Sequence, residues 1–157
     1  MIKRYIRTRL IELVVFLLRQ GISSEKIAMS LAWGLTLGTL PVLGVTTVLC
    51  VGVALLFRLN LVVIQIANWA ASPLQIVLFI PFFVMGAHLF GTDPVMRDAS
   101  SLVTVFRSGF VSSMEVLGTT MLHAALVWAL VAPFMIAVLY RAIRPALKRI
   151  MKNQGRA

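Results

Sequence analysis

Two histidines, five carboxylates and one cysteine have the widest chemical reach in this 157-residue chain. Their spacing assembles little chemistry. His88 and His123 have no cysteine or carboxylate at metal-ligand spacing. Facing each other across a bundle they would make a proton relay or a sparse metal contact, but a histidine so placed more often bonds a carbonyl or another helix. None of Glu12, Glu25, Asp93, Asp98 and Glu115 lies in an apolar run where a carboxylate would be poised inside a membrane. No nucleophile motif is present, and Gly34 with Gly38 is not a phosphate loop. The expectation is a protein that is not an enzyme and has no metal or cofactor.

Polar side chains beside helix-breaking residues offer a different chemistry. Gly38, Pro41 and Gly44 fall within seven residues, and Ala70-Ala71-Ser72-Pro73 makes a second break. Proline lacks an amide hydrogen and clashes with the preceding helical turn, so a helix kinks or stops there. Half-helix N-termini present free amide donors and a positive dipole end that suit an anionic group. Thr46, Thr47, Asn68, Ser72 and Gln75 stand near the breaks, together with Gln65. Arg58 and Asn60 lie between the two broken segments, placed to receive a phosphate or carboxylate. The structural alternative is that Arg58 marks a membrane interface and the polar side chains satisfy broken backbone.

The elements that must position these groups are set by composition. The chain is 60% hydrophobic and 13% charged, with a mean hydropathy of +0.96. Soluble domains carry about 25% charged residues, so these values exclude an ordinary soluble enzyme, a disordered chain and a disulfide scaffold. The lone Cys50 cannot pair within one chain. Fifteen Lys and Arg against five Asp and Glu give +10, and the excess sits at the ends. Residues 1–26 carry +4, residues 141–157 carry +6, and residues 27–140 are neutral. A nucleic-acid binder would present its charge on a folded polar face. Here it flanks apolar spans, which is the positive-inside pattern and places both termini in the cytoplasm. Nucleic acid is therefore not an expected partner. The bilayer and its anionic lipid headgroups are.

Two cytoplasmic ends require an even number of crossings. Residues 1–20 read as an interfacial amphipathic helix, with Tyr5 at headgroup depth. Ser23 or Ser24 can cap the next helix. The run 27–57 holds no charge over 31 residues, which as one helix would reach ~46 Å, against a hydrocarbon core of roughly 30 Å. With the break at Gly38–Gly44 it reads as a re-entrant hairpin, its competitor being a kinked span. The stretch 61–91 reads as a broken helix and span interrupted at Pro73. Thr92–Glu115 reads as a loop, 116–140 as a span kinked at Pro133, and 141–157 as a basic tail interrupted at Pro145. The fold class is all-α: one multi-pass membrane domain with re-entrant or broken helices. Ser30, Gly34 and Gly38 recur every four residues, a face that lets helices approach closely, within the chain or in a homo-oligomer.

Several short motifs occur in order: SSEKIA at 23–28, Gly34 with Gly38, Pro41-Val42-Leu43-Gly44, Leu56-Phe57-Arg58-Leu59-Asn60, and NWAASPLQ at 68–75. On these, the stretch 23–91 resembles the domain-of-unknown-function family 2062, small bacterial membrane proteins. The chain departs from that pattern at Ser24, where proline is usual, at Ser72, where asparagine is usual, and at Thr46, where Gln or His is common. The resemblance implies the bacterial cytoplasmic membrane and supplies no activity. The function the sequence favours is a small carrier or lipid-headgroup translocator with a polar site at the breaks. The alternative is a non-catalytic accessory or scaffold protein packing through its small-residue faces.

Overall fold

The computed structural model describes residues 23–42, 44–92, 107 and 110–154. The expected interfacial helix at 1–20 lies outside them, as does most of the expected loop. Every regular element among the described residues is a helix: α1 (Ser24–Leu37), α2 (Thr46–Phe57), α3 (Leu61–Ala70), α4 (Ser72–Phe90) and α5 (Phe110–Gln154).

α1 starts where Ser23 Oγ accepts from the Lys26 amide at 3.3 Å, and Glu25 in its first turn suits the positive end of the helix. It stops at Gly38. The Thr39 and Leu40 amides tighten onto the Thr36 and Leu37 carbonyls, Pro41 follows with no amide hydrogen, and Gly44 turns the chain at φ 83°. α2 then runs back antiparallel to α1, with Phe57 stacked on Trp33 at 5.2 Å. Arg58, at φ 51°, is the one residue other than glycine in the left-handed region among those described. Its conformation brings the Leu59 amide onto the Ala54 carbonyl at 2.9 Å and closes α2.

α3 starts at Asn60, whose Oδ1 accepts from the Val63 amide at 3.0 Å. It lies parallel to α1 at very short range. A Cβ on Gly34 would stand 2.6 Å from Ala67 Cβ and press on the Ile64 carbonyl, and one on Gly38 would stand 2.6 Å from both Ala71 Cβ and the Asn68 carbonyl. Only glycine fits there, and this is the close approach the four-residue spacing implies. The second break is milder than a turn. Ala71 alone separates α3 from α4, the Ala71 and Gln75 amides keep helical bonds across it, and Pro73 sits in the first turn of α4 where its missing donor is not needed.

α5 is the spine. Its first half descends antiparallel to α4, with Phe82, Phe83, Ala124 and Val127 forming one core cluster. Its second half descends antiparallel to α1, with Ile27, Ala28, Val63 and Leu147 forming another. The helix has 45 residues, ~68 Å at about 1.5 Å each. It continues through both Pro133 and Pro145, which corrects the expectation that Pro145 interrupts the tail. A proline removes one ladder bond, and the unbroken turns on either side, one packed on α1, hold the helix together. The start of α5 at Phe110 also takes the end of the expected loop into the helix.

Candidate functional site

The tip of α1 is where the polar groups converge. Thr39 Oγ1 donates to the Thr36 carbonyl at 2.7 Å and accepts from Trp128 Nε1 of α5 at 3.1 Å. Gln75 Nε2 of α4 donates to the Leu40 carbonyl at 2.7 Å. About two and a half turns further down, Ser30 Oγ donates to the Lys26 carbonyl and accepts the Asn60 amide at 3.2 Å. Thr36, Thr39, Pro41 and Ser30 are all buried. The irregular backbone after α1 is thus closed by side chains from α4 and α5.

The candidate residues fall into three groups. Asn60 and Gln75 are used within the fold, one capping α3 and the other satisfying a carbonyl of the α1–α2 turn. Asn68 is buried at 5% exposure beside Gly38, and its Oδ1 has no hydrogen-bond partner among the described residues. The same holds for Gln65 Oε1 and Thr36 Oγ1. Thr47, Arg58 and Ser72 face outward and Thr46 is half-exposed. Thr46 and Thr47 begin α2, whose start has no side-chain cap. Of the break residues, Gly38 and Pro41 are buried, while Gly44 and Pro73 are exposed. The histidines do not form a metal set. His123 stacks on Phe90 at 4.2 Å, His88 lines an apolar groove between α4 and α5, and no group of three ligands occurs among the described residues.

Sequence reasoning did not single out Trp128 or Thr39. Their bond spans 89 positions, and no local signal marks either residue. It also did not foresee the clasp at the far end of α5. There Arg144 is ion-paired with Glu25, and Lys148 Nζ lies 3.9 Å from the same carboxylate. The Arg144 guanidinium stands 5.8 Å from the centre of the Tyr140 ring. Tyr140, Arg141, Arg144, Pro145 and Lys148 line a cleft of about 490 Å³ beside this clasp.

α4 and the stretch Glu115–Arg149 of α5 are long and apolar enough to cross a membrane, and their most apolar windows are only 22% and 17% buried. A core helix of a soluble protein would hide such a surface. The molecule is therefore of the membrane-associated all-helical class, with two helices of crossing length. The family model described as "Uncharacterized protein conserved in bacteria (DUF2062)" matches residues 6–154. The chain belongs to that family, and the match extends well beyond the stretch whose motifs suggested it. No curated protein and no solved structure matches the chain.

Proposed function

We propose that this protein is a non-catalytic accessory or scaffold protein of the bacterial cytoplasmic membrane. In this reading α3–α4 and α5 cross the bilayer, α1 and α2 form a re-entrant hairpin, and both termini are cytoplasmic. The observation that carries the reading is the closed tip of α1. Gln75, Trp128 and Thr39 are spent on one another and on backbone, and a rigid, protein-filled joint suits packing better than passage of a solute.

The depth of the joint supports the hairpin. Trp128 stands 13 residues from Arg141 and 13 from Glu115, the nearest charges on either side along α5. That is ~20 Å each way, so the tip of α1 sits halfway through the uncharged part of the spine. α2 then returns towards Arg58. Val48, Leu55 and Leu56, at 69%, 75% and 76% exposure, face lipid in this arrangement.

The carrier reading keeps one specific support: Thr36 Oγ1, Gln65 Oε1 and Asn68 Oδ1 are acceptors with no partner among the described residues, where water or a polar ligand could bind. Thiol labelling separates the two readings. On a Cys50→Ser background, single cysteines replace Val42, Arg58, Ser72, Ser100 and Ile150 in intact cells, with a reagent that does not cross membranes. The accessory reading expects positions 42 and 72 to stay silent from both sides, 100 to label from outside, and 58 and 150 to label only after permeabilisation. Water-accessible labelling at 42 or 72 overturns it in favour of the carrier.

A further inference from the structure

We infer that the cleft at the cytoplasmic end of α5 binds the phosphodiester headgroup of an anionic phospholipid as a defined site rather than through diffuse charge. The inference rests on the membrane placement above, and it adds a ligand and a location to it. Tyr140 is the last residue of the uncharged stretch of α5, so the cleft that begins there lies at headgroup depth, where aromatic and basic side chains gather. Arg141, Arg144 and Lys148 are spaced by three and four residues, which puts their side chains on one face of the helix. Glu25 offsets one of the three charges through its pairs with Arg144 and Lys148. Among the described residues, two positive charges then remain for a phosphate. Glu25 also leaves the Arg144 guanidinium incompletely used, because its Nε has no partner among the described residues.

Pro145 gives the cleft its second chemical character. With no amide hydrogen, it cannot close the helical bond to the carbonyl of Arg141. That carbonyl lacks its helical donor, and Arg141 is one of the residues that line the cleft. A cation cluster beside a carbonyl without its helical donor fits a headgroup carrying both a phosphate and a hydroxyl, such as phosphoglycerol, better than a bare phosphate. The volume of about 490 Å³ lies in the range of small-ligand sites, and the acyl chains of a lipid held there would extend along the apolar spine above.

The test is binding of the full chain in neutral-detergent micelles to dioctanoyl phosphatidylglycerol. Dioctanoyl phosphatidic acid, the phosphatidylcholine analogue and glycerol phosphate serve as comparisons, and the readout is native mass spectrometry with titration. The expected result is saturable phosphatidylglycerol binding that weakens about fivefold for Arg141→Gln and again for Lys148→Gln, the usual contribution of one basic residue at a membrane surface. Arg149→Gln, which removes the same charge from an exposed residue that does not line the cleft, should change it less than about twofold on the same scale. Pro145→Ala restores the amide that engages the Arg141 carbonyl and should erase the preference for phosphatidylglycerol over phosphatidic acid. Equal losses for Arg149→Gln and Arg141→Gln would reduce the effect to diffuse charge and overturn the site. Glycerol phosphate binding as tightly as the lipid would overturn the lipid as its ligand. Far-ultraviolet circular dichroism of each variant separates lost binding from lost fold. The labelling experiment at positions 42 and 72 fails or succeeds independently of all these outcomes.

Discussion

Gly34→Ala tests the packing argument most directly. The added Cβ would stand 2.6 Å from Ala67 Cβ and against the Ile64 carbonyl, where carbon atoms normally meet at about 3.5–4.0 Å. Neither obstacle is the free end of a side chain, so α1 and α3 must separate by roughly 1 Å. Overpacking of this kind destabilises by about 1–3 kcal/mol, while replacing a helical glycine with alanine returns about 1 kcal/mol of intrinsic propensity. The net expectation is a loss of about 0–2 kcal/mol, the difference of those two terms. At roughly 2–4 °C per kcal/mol this is a fall of up to several degrees in unfolding temperature. Gly52 provides the internal reference, because a Cβ there meets nothing within 4 Å. Gly52→Ala should therefore show the propensity gain alone and raise the midpoint. Adding Ala67→Gly to Gly34→Ala removes one of the two obstacles and should recover part of the loss, a coupling that a double-mutant cycle measures. Thermal unfolding in detergent, followed by circular dichroism, reads the wild type, Gly34→Ala, Gly52→Ala, Ala67→Gly and the double variant. If Gly34→Ala is as stable as Gly52→Ala, the close approach of α1 and α3 is refuted.

Gln75→Leu removes the donor from the Leu40 carbonyl and should destabilise by about 1–3 kcal/mol, the range for stranding a buried acceptor, as measured by the same melts. Arg58→Gly should stabilise by about 1 kcal/mol, because glycine adopts the left-handed conformation without the penalty that side-chain-bearing residues incur, while Arg58→Ala should give no such gain. Glu25→Gln should shift stability by less than about 1 kcal/mol, since both partners of the clasp are well exposed and exposed pairs contribute little. A loss several times larger would mean that the clasp holds α1 on the spine.

How far the sequence could be read depended on the range of the interaction. The Ser23 cap, the stop at Gly38 and the turn through Gly44 are local, and their residues announce them. The small-residue face at Ser30, Gly34 and Gly38 was legible as a face, but its partner was not, because α3 is brought beside α1 only by the return of α2. Asn60 and Gln75 were recognised as polar residues near breaks and read as candidates for an anion. The same two residues turn out to terminate and seal helices, a role that depends on a carbonyl 35 positions away in the case of Gln75. The course of α5 was misjudged at Pro145 because proline is weighed locally, whereas the helix is sustained by the turns and the packing on either side of it.

Among the described elements the spine is also the last to be made. Trp128 and Arg144 are synthesised 89 and 119 positions after the residues they fasten. Until they arrive, the tip of the α1–α2 hairpin has only Gln75 to close it and its base is unclasped. The fold is thus completed from its C-terminal end. A chain that stops short of α5 contains the Gln75 half of the joint at the tip of α1 but not the Trp128 half, and its Thr39 still lacks the Trp128 donor.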